Sequence, residues 1–366
     1  MLKRFLSAIS VAALSLAIMS GCSPQQTPNG STASTVSSGG ADPSVYSMEG
    51  KVSIGYPVAE QAELQPVLEA FRKQYPKIEV VEVPFEGSTG GAFNEFLSKH
   101  ASSGDMPDMM WCDWNDFAPE VASGLVMALN DLMKDDKEAE YVPSGMTDPY
   151  TYSGKLYALP CQLNAMGVTI NLDLLDELNL DKPSYDWTID EFTNLLKKAI
   201  SKDTVGAATQ DEGYFYPAYD YENQKFDFTN KWVPAMNRLS ELRAVPGLEA
   251  WSMRYPKEDD GTTSMNSDYV KKFGETGKDD THYTFKYGTA LMATGATWND
   301  NWMRNECKVK WDYWPYPRLD KNTPVKTPIH VDCAYLTKSC AQPEAAFQLL
   351  KWLTYGVEGN LQRLDI

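Results

Sequence analysis

Histidine is nearly missing from this chain, with three in 366 residues. Six cysteines are present and none falls in a CxxC pair. A His-rich metal site or a zinc module is therefore not expected. Positive charge is scarce as well: 33 Lys plus Arg face 50 Asp plus Glu, for a formal net charge of −17. Phosphate backbones are held by clustered Lys and Arg, so a nucleic-acid partner is excluded. Sustained apolar runs are lacking beyond Phe5 to Met19, which is short and interrupted by serines, so a multi-span membrane protein is not expected. Catalytic signatures are missing too. There is no GxSxG and no HExxH, and the glycines at 87, 90 and 91 are not followed by the Lys-Ser or Lys-Thr of a phosphate-binding loop. No cofactor is expected.

What is abundant is aromatic. Ten Trp and twenty Tyr lift the aromatic share to 12%, more than a core alone needs, so some of these rings are expected on surfaces that meet a ligand. The length allows two domains, each able to bury its own core. The first residues form an address: Lys3 and Arg4, an apolar stretch, then Ser20, Gly21 and Cys22. This pattern is a secretory signal peptide over 1–21. Ending on Ser-Gly-Cys, it resembles the lipobox of bacterial lipoproteins, which implies acylation (palmitate among the chains) of Cys22 and anchoring on the outer side of the cell membrane. The alternative is an ordinary signal peptide cut near the same place. Residues 22–50 are crowded with Ser, Thr, Gly, Pro, Gln and Asn, and read as a flexible tether.

From Lys51 the pattern turns globular. Lys51 to Tyr56 reads as a strand, and Leu64, Val67, Leu68 and Phe71 recur at helical spacing with Pro76 as a stop. Ile78 to Val83 alternates as a second strand, Phe93 to Leu97 marks a second helix, and Pro107 to Cys112 a third strand. Val121, Leu125 and Leu129 predict one further helix. Strand–helix alternation of this kind predicts an α/β fold with a largely parallel sheet, its ligands beyond the carboxyl ends of the strands. Those ends lie near Tyr56, Glu86 and the 111–116 segment.

Later segments carry a family resemblance. Gly154-Lys-Leu-Tyr-Ala-Leu-Pro160, Asn171-Leu-Asp-Leu, Trp187-Thr-Ile-Asp-Glu-Phe192 and Gly288-Thr-Ala-Leu-Met292 with Trp298 follow one another in the order and spacing seen in extracellular solute-binding proteins of ABC importers, in their carbohydrate-binding branch. The resemblance spans nearly all of 51–366. It implies a two-lobe clamp joined by hinge crossings, near Pro160 to Asn164 on the way out and Ile329 to Ala334 on the return. The first lobe would be 51–163 with 333–366, the second 164–332. It further implies a carbohydrate ligand, an oligosaccharide on the strength of the aromatics, and the permease subunits of an ABC transporter as partners. The protein would not be an enzyme. The alternatives are a cell-surface carbohydrate-active enzyme or a binding protein for a non-sugar solute.

Sugars offer an apolar C–H face and a rim of hydroxyls, so candidate residues pair flat rings with carboxylates and amides. Trp111 or Trp114 is a candidate stacking platform, and Asp113, Asn115 or Asp116 a candidate hydroxyl partner, with core packing of one Trp as the alternative. Trp298, with Asp300, matches the segment that carries a stacking Trp in the resembled family; the alternative is a core Trp beneath the helix that follows. Gln162 and Asn164 lie at the first crossing, either lining the cleft or holding the hinge. Glu212 and Tyr214 resemble an acidic–aromatic cluster of the second lobe. Tyr56 and Glu86, with Glu60, are candidates by position after their strands. His330 and Asp332 fall in the return crossing. The cysteines other than Cys22 are expected mostly free and buried. In the resembled family the chain crosses a third time after the helix at Pro343 to Leu353, so a further segment beyond Ile366 is an expectation, with a shortened member of the family as the alternative.

Overall fold

The computed structural model describes residues 45–87, 90–113, 117–143, 145–201, 203–208, 216–220, 223, 225–250, 255, 262, 264–268 and 285–364. Strand β1 (Gly50–Pro57) buries Val52, Ile54 and Tyr56 completely. Helix α1 (Gln61–Gln74) follows and lays Leu64, Val67, Leu68 and Phe71 inward at the helical period. Each such side chain contributes about 1.5–3 kcal/mol when fully buried. A 3-10 turn at Val58–Glu60 precedes α1, so Pro66 falls in its second turn. Strand β2 (Ile78–Phe85), helix α2 (Gly90–Ser103) and strand β3 (Met109–Asp113) complete the first units. β1 pairs in parallel with β2, from Gly50↔Ile78 to Pro57↔Phe85, and with β3 at Ile54↔Met109. The carboxyl ends of these strands therefore share one edge.

The helix expected through Val121, Leu125 and Leu129 breaks. α3 (Ala118–Ser123) ends on Gly124 at φ 75°, and Val126 forms an isolated bridge to Thr337. Left-handed backbone is cheap only for glycine, so the apolar spacing was overruled locally. One-turn α4 (Asn130–Met133) and the small hairpin β4 (Thr151–Tyr152) and β5 (Lys155–Leu156) follow.

β6 (Leu159–Asn171) then runs 13 residues and serves two neighbourhoods. Its first half pairs antiparallel with β12 (Ile329–Leu336), from Ala334↔Leu159 to Ile329↔Ala165. Its second half pairs with β10 (Ala290–Ala296) at Ala296↔Met166 to Met292↔Ile170 and with β11 (Trp311–Trp314) at Trp314↔Val168 to Trp311↔Asn171. β12 continues onto β3, and β7 (Val205–Ala207) runs parallel to β10. The sheet order is β2-β1-β3-β12-β6-β10-β7, with β11 on β6. Both crossings expected from the sequence are thus paired strands that lie side by side, parallel pairs occupying the flanks and antiparallel pairs the middle.

Past β6, α5 (Leu172–Glu177) is capped by Asn171, whose side chain accepts from Leu174 N. α6 (Ile189–Lys198) carries the expected capping box between Thr188 and Glu191. α6 presents Ile189, Phe192, Leu195 and Leu196 to a core that includes Val168, Ile170, Trp187, Met292 and Trp314. The hairpin β8 (Tyr219–Asp220) and β9 (Lys225–Phe226), a π turn at Phe228–Trp232 and helix α7 (Val233–Arg243) come next. After β10, α8 (Asp300–Glu306) leads to β11. α9 (Pro343–Leu353) returns to the first units: Trp352 Nε1 donates to Val67 O at 3.1 Å, and its ring meets Phe71 edge-on at 5.8 Å. α10 (Val357–Leu364) supplies Glu358, which accepts from the hydroxyl of Tyr46 at 2.9 Å, so the body already begins at Tyr46. Cys161 and Cys340 are free and buried, Cys333 is buried, and Cys307 is free and half-buried. Among the described residues no helix is long and apolar enough to cross a membrane.

Candidate functional site

The antiparallel register of β6 and β12 sets Gln162 opposite Asp332 and Asn164 opposite His330. Cross-strand partners share a face, and residues two apart share it too. Four polar side chains therefore stand together where the two halves of the sheet meet. Glu60, just past β1, accepts from Gln162 Nε2 at 2.5 Å. Asn164 Nδ2 lies 3.5 Å from Asp332 Oδ2, and Thr297, at the end of β10, donates to Asn164 Oδ1 at 3.3 Å. Thr297 Oγ1 also accepts from Ala165 N at 3.1 Å. One cluster thus draws on the loop after β1, both crossing strands and the end of β10.

Asp332 is only 5% exposed, and its Oδ1 sits 3.0 Å from His330 Nε2. That hydrogen bond raises the His330 pKa above the ordinary imidazole value, against the opposing pull of partial burial. Next to it, Trp298 meets His330 edge-on, with ring centroids 5.7 Å apart at 84°. Trp298 is 49% exposed, so much of its ring stands open to solvent beside the polar cluster.

Several other candidates are positioned differently. Trp111 does not stand open: it is 3% exposed on central β3, and the guanidinium of Arg363 lies 5.6 Å over its ring. Tyr56 is fully buried, and its hydroxyl donates to Glu82 Oε2 at 2.5 Å. Burial, then the Glu82 carboxylate, pushes this phenol up to about 12. Both are packing residues because strands flanked on either side by other strands and covered by helices leave no free face. Asp300 opens α8 and pairs with Arg304 one turn on at 3.0 Å. Glu86 is exposed in the turn after β2. Asp113 closes β3 with its backbone opposite Cys333; its side chain, and Trp114, Asn115, Asp116, Glu212 and Tyr214, lie outside the described residues, as does Cys22.

The sequence model of the bacterial extracellular solute-binding proteins matches residues 57–354, about four-fifths of the chain. The chain belongs to that family. This solute-binding protein is 23% identical over 257 residues to a binding protein of Brucella abortus (strain 2308), a match covering 66% of this chain and 59% of the relative. A binding protein of Brucella suis biovar 1 matches to the same extent, so the chain spans about 59% of the length of these curated relatives. An ABC substrate-binding protein from Listeria monocytogenes, solved in complex with cycloalternan, superposes with a TM-score of 0.67 at 18% identity, over 87% of this chain and 78% of that one. Apo RafE from Streptococcus pneumoniae gives 0.62 at 18% identity, over 87% and 80%. CpMnBP1 with mannotriose bound gives 0.61 at 17%, over 87% and 85%. These likenesses show the two-lobe α/β fold of extracytoplasmic solute-binding proteins, and the family and its structural neighbours are binding proteins rather than enzymes.

Proposed function

We propose that this solute-binding protein is a lipid-anchored extracellular receptor that binds a carbohydrate, in particular an oligosaccharide, and delivers it to the permease of an ABC importer. The lobes are 51–163 with 333–366, and 164–332, and they close on the ligand about the β6–β12 crossing. Cys22 carries the lipid. The observation that supports this reading most is the open ring of Trp298 beside Gln162, Asn164, His330 and Asp332. Flat aromatic surface next to paired donors and acceptors suits a sugar, whose ring face stacks while its hydroxyls hydrogen-bond. Structural relatives solved with cycloalternan, mannotriose and raffinose lend further support.

A thermal-shift screen of linear and cyclic oligosaccharides tests it. A ligand that binds only the folded state at a hundred times its Kd adds about 2.7 kcal/mol of stability. A rise in melting temperature with one sugar series is expected. No shift with any sugar, together with hydrolysis of a chromogenic glycoside, would replace the receptor with a cell-surface enzyme.

A further inference from the structure

Along β6 the face that carries Gln162 and Asn164 continues to Met166, two residues further on. There a cavity of about 530 Å³ opens, bounded by Ala165 to Gly167, the end of β11 and residues 325 and 327 ahead of β12. Its wall is mostly aromatic and aliphatic. Tyr185 stacks on Trp314, with ring centroids 5.2 Å apart at 25°, and Met166, Pro315 and Val325 extend the apolar lining. Trp314 is buried, whereas Tyr185 is 59% exposed and Val325 is exposed as well. The volume lies within the roughly 300–1,000 Å³ of small-molecule sites, which are largely apolar with a few placed polar groups.

Most polar side chains of this wall are already engaged. Asp186, the one charged side chain among the described residues of the wall, accepts from Arg318 Nη2 at 2.7 Å. The hydroxyl of Tyr313 donates to Ala296 O at 3.2 Å, and Trp314 Nε1 donates to Pro183 O at 3.0 Å. Thr297 Oγ1 accepts from Ala165 N and donates to Asn164 Oδ1. A sugar ring placed here would leave much of its hydroxyl rim without partners, and a charged group would shed its water for little in return. A neutral apolar group carries no such cost and gains by covering the rings.

Thr297 joins this cavity to the polar cluster. It lies in the cavity wall, its hydroxyl donates to Asn164, and Trp298 follows it directly in the chain. A sugar on Trp298 and an apolar group in the cavity would therefore be neighbours. We infer that the cavity is an aglycone subsite: it receives a neutral aryl group attached to a sugar whose ring lies on Trp298 and whose hydroxyls meet Asn164, His330 and Asp332. Tyr185, backed by Trp314, supplies the ring against which the aryl group stacks. The inference rests on the carbohydrate reading above and narrows it to glycosides that carry an aromatic substituent.

Titration calorimetry of the mature chain tests it, with matched 4-nitrophenyl and methyl glycosides of maltose, cellobiose, mannobiose and the sugar giving the largest shift in the screen. In at least one pair the nitrophenyl glycoside should bind about 10- to 100-fold more tightly than the methyl glycoside, the scale of covering one aromatic ring. Tyr185→Ala should bring that ratio close to one, and Tyr185→Phe should keep it. Val325→Asp, which sets a carboxylate in the apolar wall, should also bring it close to one. Apo melting curves verify that each variant folds. A ratio near one in every pair that the native chain binds, or a ratio that survives Tyr185→Ala or Val325→Asp, overturns the subsite and leaves the carbohydrate reading intact. So does 4-nitrophenol binding as tightly as its glycosides, since the cavity would then act without the sugar. Binding of no glycoside while a free sugar still shifts the melt likewise overturns the subsite alone. Binding of no glycoside by a chain that melts cooperatively, with no shift across the oligosaccharide screen, overturns both.

Discussion

Replacing Trp298 with alanine separates a ligand platform from a packing residue. The side chain is 49% exposed and touches His330 edge-on. An aromatic of this size presents about 150–250 Å², so roughly 100 Å² stands open for a ligand ring to cover. At about 25 cal/mol per Å², full coverage is worth ~2.5 kcal/mol. Ordering of the ligand and imperfect coverage bring the expected loss to about 1–3 kcal/mol. That range corresponds to a Kd raised about 5- to 150-fold. The cost to the empty protein should be smaller, since the edge-on contact contributes only about 0.5–1.5 kcal/mol. Calorimetric titration with the best sugar from the screen gives the first quantity, and a thermal melt without ligand gives the second. A variant that melts far below the parent yet binds sugar with unchanged affinity in its folded fraction would assign Trp298 to packing and refute the reasoning.

Asp332→Asn removes the carboxylate that raises the His330 pKa. The folded-state pKa of His330 is raised above 6.5, so its pairing adds stability that is full below that value and fades as pH climbs through the raised one. In the variant, His330 should titrate lower by NMR, and its stability deficit against the parent should be larger near pH ~5 than near pH ~8; a deficit independent of pH would count against the pairing. Trp352→Ala should destabilise by about 3–5 kcal/mol in urea melts, because the ring packs on Phe71 and Tyr75 and its N–H serves Val67. Gly167→Ala would set a Cβ 2.5 Å from the backbone oxygen of Trp314, so a loss of about 1–3 kcal/mol is expected, and an unchanged midpoint would mean β11 yields freely. Cys22→Ala should move the protein from the membrane fraction to the medium or leave an unprocessed precursor; retention at the mature mass would disprove the anchor.

Local patterns were legible where one period dominated. Leu64, Val67, Leu68 and Phe71 announce α1, and Thr188 with Glu191 announces the start of α6, because each depends on neighbours within one or two turns. Gly124 shows the limit: a single left-handed residue ended a helix that Val121, Leu125 and Leu129 would otherwise have continued. Trp111 and Tyr56 were readable as the last residues of strands, but their burial follows from which strands flank β1 and β3 and from Arg363 and Glu82, far away or on another strand. The polar cluster was half legible. Gln162 and Asn164 show the alternation of a strand, and so do His330 and Asp332, yet their meeting depends on an antiparallel register across 168 residues. No local signal reports that register. Thr297 went unnoticed because a threonine beside a Trp carries no distinctive chemistry until its hydroxyl is seen between Ala165 N and Asn164.

The continuity of β6 ties the two halves of the sheet in phase. Cys161, Leu163 and Ala165 alternate with Gln162 and Asn164 before the midpoint, and Gly167 to Asn171 are all buried after it. A single residue inserted between Ala165 and Met166 would turn one half of the strand over relative to the other, since side chains change face at every step. Gln162 and Asn164 would then leave the face of Trp298, or Val168 and Ile170 would leave their core. Length changes at this point can be accommodated only in pairs, so among natural variants insertions and deletions should cluster in the loops and spare residues 159–171.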